Sequence, residues 1–452
     1  MTIGITAIAV LKNRDFRLYA LFSLLAQLSA EVLIVAIGWS IYDITNNPFD
    51  LALVALVQFV PNCLLVLVTG VAADRYPRKR ILVLCTVAEF VFTLGIFLVA
   101  RSSLHDVWPM LLLIAGLAAG RAFGNPAALA LAPTLVEREQ IPAAVSTATS
   151  AWQFSSIAGP ALGGVLYNIS ANVAYTSALV MVLVSLVSIA AIRKVEEPHA
   201  RESATVDMMT GGFRFMLREK VVLGASSLDL FAVLLGSTAA LLPIFARDIL
   251  VAGPFGLGLL RAGIGIGALA MAIYLGLFPI RRHAGKIMFA TVAVFGLGTI
   301  VFGLSHWIWL SVGALILMGA SDMISVYIRE VLVQLWTPDS LRGRVNAVYM
   351  LMISASNELG GFRAGGAAKL FAVMYAVSFA AHRAPGGGHA PINANAFGAI
   401  TATVIGGICT VAVAVLWARW FPALRKADDL TATEQLEADS RRAAERAVVP
   451  TP

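Results

Sequence analysis

Gly70-Val-Ala-Ala-Asp-Arg-Tyr-Pro-Arg-Lys-Arg80 is the stretch that decides the fold of this chain. It separates two apolar stretches, 51–73 and 81–100, each long enough to cross a bilayer, since a transmembrane helix needs ~20 apolar residues. A connection this short makes the two helices antiparallel. It contains four cations, Arg75, Arg78, Lys79 and Arg80. Basic loops resist translocation, so we expect this connection to lie in the cytoplasm.

The composition is that of a polytopic membrane protein. Hydrophobic residues make up 59% and charged residues 13% of the 452 residues, whereas a soluble domain carries about 25% charge. The net charge of +7 is spread over loops that alternate along the chain, which argues against a nucleic-acid-binding surface. The three cysteines, Cys63, Cys85 and Cys409, lie in apolar stretches without disulfide or metal spacing.

Twelve membrane spans are predicted from the apolar stretches. They lie near 18–42, 50–73, 81–100, 107–131, 143–166, 172–192, 221–245, 255–279, 287–305, 307–331, 345–372 and 396–420. With the N-terminus inside, the cytoplasmic segments hold 25 lysines and arginines and the outer segments four, Arg101, Arg247, Arg261 and Arg383. This asymmetry predicts that both termini are cytoplasmic. The first span, preceded by Lys12, Arg14 and Arg17, is expected to act as its own insertion signal.

The second half of the chain repeats motifs of the first. Gly276–Lys286 follows span 8 as Gly70–Arg80 follows span 2, and the small residues Gly159–Gly164 of span 5 return as Gly360–Gly366 in span 11. Two six-span halves in the same orientation hold substrate between them near the membrane midplane. The predicted divisions are a cytoplasmic N-terminus, an N-terminal six-helix bundle, a cytoplasmic linker, a C-terminal six-helix bundle and a cytoplasmic tail, at 1–17, 18–192, 193–220, 221–420 and 421–452.

Charged residues inside the spans are the candidate functional residues. A charge at the bilayer centre costs roughly 3 kcal/mol on insertion scales, so each one is expected to have a role. Glu31 and Arg121 are predicted to couple protons, with the alternative that they form one buried pair that only joins helices. Asp229, Asp322 and Arg329 are candidates for the cavity of the other half, although Arg329 could instead reach the inner interface by snorkelling. The other deep charges are Glu89, predicted to be structural, Glu330, and Glu358, Arg363 and Lys369 of the polar span 11.

Span 5 carries the second motif, Gly159-Pro-Ala-Leu-Gly-Gly164. Pro160 lacks a backbone donor and crowds the carbonyl of Ser156, which bends a helix. Gly159, Gly163 and Gly164 permit close approach of neighbouring helices. A generic small-residue interface is the simpler interpretation of the same residues.

The short connection and span 5 resemble motifs of the major facilitator superfamily. The order G-x-x-x-D-R-x-x-R-K at Gly70–Lys79 is similar to the signature loop between its spans 2 and 3, and Gly159–Gly164 is similar to the antiporter motif of its exporters. The resemblance implies an all-α membrane protein in which spans 1, 4, 7 and 10 line a central cavity. It also implies that the loop controls conformational change, through Gly70, Asp74, Arg75, Arg78 and Lys79.

A finer resemblance is to the bacterial branch that includes enterobactin-type siderophore exporters and drug–proton antiporters. It rests on Asn13–Arg17, Ala73–Arg75, Asn125-Pro126 and Arg342–Arg344, and it covers about 11–425. In that branch an aspartate usually stands where Glu31 stands here. The arginine motif around Arg121 matches only in part, because Asn125 replaces its glycine.

The sequence therefore predicts a secondary transporter and no enzyme. It contains no G-x-x-x-x-G-K-S/T loop, no G-x-S-x-G elbow and no metal spacing of its six histidines, so no cofactor or metal is expected. We expect a monomeric, proton-coupled exporter of a small organic or amphipathic compound, siderophore- or drug-like, in the bacterial inner membrane. Its expected partners are the substrate, protons and the lipid bilayer, and no nucleic acid. The alternatives are an importer or lipid-type flippase of the same fold, and a non-transporting membrane sensor.

Overall fold

The computed structural model describes residues 10–102, 106–193, 206–280, 282–338, 341–381 and 393–425, without the side chains of 66, 67, 70, 71, 73, 74, 206–210 and 379–381. Twelve long helices in these ranges coincide with the twelve predicted spans. They are α1 Arg14–Thr45, α2 Pro48–Arg75, α3 Arg78–Arg101, α4 Trp108–Leu131, α5 Ile141–Ile169, α6 Ala171–Ala190, α7 Lys220–Gly236, α8 Gly253–Leu277, α9 Ala284–Leu304, α10 Ile308–Trp336, α11 Arg342–Ala381 and α12 Ala394–Trp420.

Ten of the described helices are long and apolar enough to cross a membrane by length and composition. The other two are α5 and α11, whose small and polar residues lower their hydropathy. The count of twelve spans is thus consistent with the helices found. Apart from an isolated bridge at Arg282, the regular secondary structure of the described ranges is helical, and the protein is a multi-pass membrane protein.

The helix ends explain the two faces of the bundle. We call the end with Arg14, Arg78 and Arg342 the basic face and the end with Thr45 and Pro48 the far face. At the basic face, the Asn13 side chain caps α1 by accepting from two backbone amides. The predicted loop at Gly70–Arg80 is mostly helical, because α2 continues to Arg75 and α3 begins at Arg78.

The seventh span differs from its prediction, since it is not one continuous helix. α7 ends at Gly236, and the chain continues through a short 3-10 turn at Ala239–Leu241 and a π-helix at Phe245–Ile249. Pro243, which lacks an amide hydrogen, lies between the two irregular turns. The irregular backbone is tolerated at this depth because it is buried in protein.

The two halves meet through equivalent helices. α5 of the first half packs on α8, and α11 of the second half packs on α2. A Cβ added at Gly164 of α5 would lie 2.9 Å from Gly258 Cα, and one added at Gly365 of α11 would lie 2.8 Å from Ala52 Cβ. The glycines that repeat in the sequence therefore occupy equivalent interfaces in the structure.

The segments outside the spans are described only in part. The predicted linker 193–220 contains a helix at Val206–Arg218, which packs on the start of α11. Of the predicted tail, the short helix Pro422–Arg425 is described. The glycine-rich segment 382–391 lies outside the described residues.

Candidate functional site

Two adjoining cavities are lined by five of the deep charges: Glu31, Glu89, Arg121, Arg261 and Glu358. The basic-side cavity, of about 640 Å³, lies between α1, α3, α4 and α5 of the first half. It extends from Glu31, near the middle of α1, toward Tyr19 and Val145 near the basic face. Its lining includes the aromatic side chains Tyr19, Phe22 and Trp152 and the charged side chains Glu31, Glu89 and Arg121.

The central cavity, of about 300 Å³, lies between the two halves. Helices α1, α2 and α4 line it from one side, and α8, α11 and the irregular part of the seventh span line it from the other. Ala30, Ile34, Arg121 and Asn125 border both cavities. Side chains of α1 and α4 therefore lie between the two spaces.

Arg121 is paired with Glu89. Its Nη2 atom lies 2.9 Å and its Nε atom 3.3 Å from the same Glu89 oxygen, in a partly buried ion pair. This corrects the alternative in which Arg121 forms one buried pair with Glu31. Gly120 and Gly124 flank Arg121 on the face of α4 that approaches Cys85 of α3, so the carboxylate of α3 is the nearer one.

Glu31 lies across the basic-side cavity from that pair. Its carboxylate accepts a hydrogen bond from Gln27 Nε2 at 3.3 Å, and its charge interacts with Arg121 and with Arg261 of α8. Gly159 of α5 abuts the Glu31 side chain. Within the described part of the chain, Glu31 forms no ion pair within 4 Å, so it carries the least compensated charge on this cavity wall.

Sequence reasoning missed Arg261. It was counted with the outer segments, but the structure places it inside α8, on the wall of the central cavity with Glu358 of α11. The signal that could have found it is its position inside the predicted span 255–279, between Gly258 and Gly265.

The cavity candidates of the second half lie elsewhere. Arg329 is 2% exposed, forms an ion pair with Asp229, and its Nε donates to the Tyr349 hydroxyl at 2.6 Å. Asp322 adjoins Asp229 in a pocket of about 10 Å³, too small for a substrate. This corrects both the predicted cavity positions and the snorkelling of Arg329, because deep charges are stabilised here by pairing inside the bundle.

The glycines of span 5 lie at helix contacts. A Cβ added at Gly163 would be 3.0 Å from Val32 Cα of α1, and Gly164 faces α8 as described above. The Pro160 carbonyl lies close to Gly258. One segment thus packs α5 against its own half and against the other half.

The predicted conformational loop makes contacts within the first half. Arg78 Nη1 donates to the Ala130 carbonyl at 2.9 Å, and Lys79 Nζ donates to the Ile192 carbonyl at 2.6 Å. Arg75 is exposed. Gly70 has no side chain, and the side chain of Asp74 is outside the described part of the structure.

Polar contacts join the halves at the far face. The Tyr42 hydroxyl at the end of α1 donates to Asp248 of the π-helix, whose Arg247 pairs with Asp43 at 3.4 Å. Arg247 also donates to the Tyr42 carbonyl at 3.0 Å. The far ends of the two halves are thereby held together.

The model of the transmembrane secretion effector family matches residues 5–385. The chain belongs to this family. The family is part of the major facilitator superfamily, as the signature-loop resemblance implied, and the protein is therefore a transporter.

Named relatives of this secretion effector are exporters. The enterobactin exporter of Citrobacter koseri is 26% identical over 355 residues, which cover 78% of this chain and 84% of that protein. The enterobactin exporter of Escherichia coli O1:K1 is 25% identical over the same length. The siderophore-exporter resemblance found in the sequence is confirmed at the level of the family.

Solved structures share the fold of the secretion effector. A bacterial homologue of the human lysosomal transporter Spinster, in an inward-facing and occupied conformation, has a TM-score of 0.71 at 16% identity over 91% of this chain and 98% of that one. A D-xylose–proton symporter has a TM-score of 0.65 at 14% identity over 91% and 98%. Both likenesses support the major facilitator fold; the division into two six-helix bundles stays a prediction.

Proposed function

We propose that this secretion effector is a proton-coupled exporter of a small organic or amphipathic compound, siderophore- or drug-like. The observation that carries the proposal is the position of Glu31. It lies near the middle of a long apolar helix, on the wall of a cavity that reaches the basic face, with two guanidinium groups acting on its charge. A charged carboxylate at this depth is costly to bury, and buried acids in membrane helices commonly belong to proton relays.

Glu31 binds the transported proton, and Arg121 adjusts how readily that proton is released. Because Glu89 holds the Arg121 guanidinium, a shift of α4 relative to α1 changes the distance from Arg121 to Glu31. A cation that comes closer favours the ionised carboxylate, and one that withdraws favours the protonated form. Helix movement and proton binding are thereby linked.

Alternating access follows from the two sets of helix contacts between the halves. The far face is held by Tyr42, Asp43, Arg247 and Asp248, while the basic-side cavity leaves the opposite end accessible to a solute. The glycine contacts of α5 with α8 and of α11 with α2 let the halves rock without large side chains in the way. Release at the far face requires the polar contacts there to open.

The cavities suit an amphipathic substrate of drug-like size. Binding cavities for such ligands are usually ~300–1,000 Å³ and mostly apolar with few polar groups. The basic-side cavity has that volume, with Tyr19, Phe22 and Trp152 offering aromatic surface and Gln27 and Asn125 offering hydrogen bonds. We further propose that the protein acts as a monomer in the bacterial inner membrane, with both termini and the basic face in the cytoplasm.

Uptake into inverted membrane vesicles tests this function. Accumulation of a catecholate siderophore and of ethidium should be measured with and without an imposed pH gradient, in wild type, Glu31→Gln and Glu31→Asp. Wild type should accumulate at least one of the two, Glu31→Asp should keep part of the rate, and Glu31→Gln should bind and exchange substrate without accumulating it.

The matched control is Glu330→Gln, which removes an exposed carboxylate of α10 outside both cavities and should transport like wild type. If Glu31→Gln still accumulates substrate in a pH-dependent manner, Glu31 is not the proton site. If wild type transports only outward from the vesicles, the protein is an importer.

A further inference from the structure

The helix Val206–Arg218, which we call the linker helix, presents a surface that the proposed function leaves unused. It packs against the starts of α7 and α11 at the basic face. A single residue, Glu219, separates it from α7, and the extended backbone of Glu219 turns the chain between the two helices. The linker helix is therefore a separate element at the end of the membrane spans.

The side chains of the linker helix form three adjacent stripes. Residues four positions apart share one face of a helix. From position 212 onward there are three consecutive pairs with this spacing: Gly212 with Met216, Phe213 with Leu217, and Arg214 with Arg218. The first pair is buried, and the other two pairs are exposed. A buried stripe, an apolar stripe and a basic stripe thus follow one another around the helix.

The buried stripe fixes the linker helix on the protein. Met216 is buried in an apolar cluster with Val222 of α7, Val333 of α10 and Val345 of α11. A Cβ added at Gly212 would lie 2.5 Å from the backbone carbonyl oxygen of the first turn of α11. Because the helix touches the backbone of α11 there, its other two stripes have a defined direction, away from the bundle.

The apolar stripe is left uncovered by the described protein. Phe213 is 52% exposed and Leu217 is 51% exposed. Both lie directly beside the basic stripe, at the level where the membrane spans begin. A helix that combines an apolar face with neighbouring lysine or arginine residues is typical of one that lies in the membrane interface.

The cations around the basic stripe lack protein partners. Arg214, Arg218 and Lys220 are exposed, and none of them forms an ion pair within 4 Å in the described part of the chain. Arg344 of α11 adds a fourth cation, since its Nη1 atom lies 3.5 Å from where a Cβ at Gly211 would be. Guanidinium groups match the geometry of phosphate oxygens, so this surface suits a phosphate group.

An anionic phospholipid fits this surface better than a protein partner. A stable protein interface buries ~800 Å² on each partner, and two half-exposed side chains offer far less. A phospholipid needs only an apolar contact for its acyl chains and donors for its phosphate. Within 211–220 the one acid is Glu219, so the surface is positive and favours a lipid with net negative charge.

We propose that the apolar and basic stripes of the linker helix, together with Lys220 and Arg344, bind anionic phospholipid in the leaflet at the basic face. The acyl chains contact the apolar stripe, and the phosphate accepts hydrogen bonds from the guanidinium groups. Because the linker helix touches the backbone of α11, the bound lipid holds the start of α11 at the membrane surface. The site depends neither on the identity of the substrate nor on proton coupling.

Fluorescence quenching in lipid nanodiscs tests this surface in the full-length protein. After replacement of Cys63, Cys85 and Cys409, a fluorophore is attached to a cysteine at Gly343, where an added Cβ meets nothing within 4 Å. Phosphatidylcholine discs carry a small fraction of spin-labelled phosphatidylglycerol or of spin-labelled phosphatidylcholine with the same acyl chains. The anionic lipid should quench the fluorophore more strongly than the zwitterionic lipid at equal mole fraction.

Removal of the basic stripe should abolish this preference. Arg214→Gln combined with Arg218→Gln should weaken phosphatidylglycerol binding by about tenfold, since each basic residue near an anionic membrane surface contributes several-fold. The matched control is Arg282→Gln combined with Lys286→Gln, which removes two exposed cations outside the linker helix and should behave like the parent protein. The two arginine-to-lysine changes should keep most of the preference, and melting temperatures show whether each variant is folded.

Removal of the apolar stripe has a different signature. Phe213→Ser combined with Leu217→Ser should weaken quenching by both lipids, because the acyl chains are the same. The proposal is overturned if the glutamine pair keeps the preference, if the control pair loses it equally, or if the parent protein shows none. Displacement of the lipid by inorganic phosphate would assign the surface to a free anion, and a dimer that depends on the apolar stripe would assign it to a second copy; either result overturns the proposal.

Discussion

Arg363 Nε donates to the Leu234 carbonyl oxygen at 2.8 Å, so a side chain of α11 caps the C-terminal end of α7. Its Nη2 atom also reaches the Ser237 carbonyl at 3.3 Å. The last carbonyl groups of a helix have no partners within the helix, and at this depth they lack water as well. The polar character of span 11, unexplained in the sequence, has one structural cause in this contact.

Arg363→Gln should destabilise the purified protein. It leaves buried carbonyl groups of the seventh span without a charged donor, and an unsatisfied buried group costs ~1–3 kcal/mol. The measurement is the melting temperature in detergent, with Arg363→Lys expected to recover part of the loss. Lys369→Gln on the same helix is the control, and equal melting of the two glutamine variants would contradict the capping role.

Gly163→Leu should impair transport through overpacking. The added side chain meets α1, where a Cβ alone would lie 3.0 Å from Val32 Cα, and overpacking costs ~1–3 kcal/mol. Gly366→Leu is the matched control, because a Cβ at Gly366 meets nothing within 4 Å. Vesicle uptake should fall in the first variant and persist in the second; wild-type uptake by Gly163→Leu would show that span 5 tolerates bulk there.

Tyr42→Phe should favour opening of the far face. It removes the hydrogen bond to Asp248, and bonds to charged groups are worth ~1.5–3 kcal/mol. A cysteine at Val54, on the central-cavity wall, should then react faster with a thiol reagent applied at the far face. Tyr167→Phe is the control, since Tyr167 is hydrogen-bonded to Ser40 within one half, and it should leave labelling unchanged.

Asp74→Asn should lower turnover without lowering membrane levels. The resemblance of its loop to the signature loop of the superfamily motivates this prediction, with Asp74 acting on helix ends of the other half when the basic face closes. Arg78→Ala should behave alike, with some added loss of stability because Arg78 donates to the Ala130 carbonyl. Arg80→Ala, at an exposed position, is the control. If Asp74→Asn turns over substrate at the normal rate, the prediction is wrong and the loop only determines the topology.

Thiol labelling in intact cells tests the predicted orientation of the chain in the membrane. After replacement of Cys63, Cys85 and Cys409, a cysteine at Gly387 should react with an impermeant thiol reagent and one at Ser203 should not. The reason is the excess of lysine and arginine in the segments predicted to be cytoplasmic. Labelling at Ser203 from outside would reverse the predicted topology.

Ten of the described helices could be predicted because each is an apolar stretch of sufficient length. Small and polar residues lower the hydropathy of α5 and α11, yet their predicted spans coincide with helices. Close helix approach at Gly164 and Gly365 could be predicted as well, though not the partner helices, since only small residues allow two backbones to approach so closely. Both features depend on local sequence. Each can be predicted from the residues of one helix alone.

The charge partners could not be predicted, because they depend on which helices become neighbours. Glu31 and Glu89 are both single acids in apolar spans. Glu89 rather than Glu31 forms the ion pair with Arg121 because α3 packs on α4. The stabilisation of the broken seventh span could not be predicted either. Pro243 indicates an irregular helix there, but Arg363, which donates to the Leu234 carbonyl, lies far away in the sequence.

Arg121 borders both cavities while Glu89 holds its guanidinium in place. We expect a solute that moves between the two cavities to displace the Arg121 side chain and so to break its ion pair with Glu89. Substitution of Glu89 is therefore expected to change which solutes pass, although Glu89 does not line the central cavity.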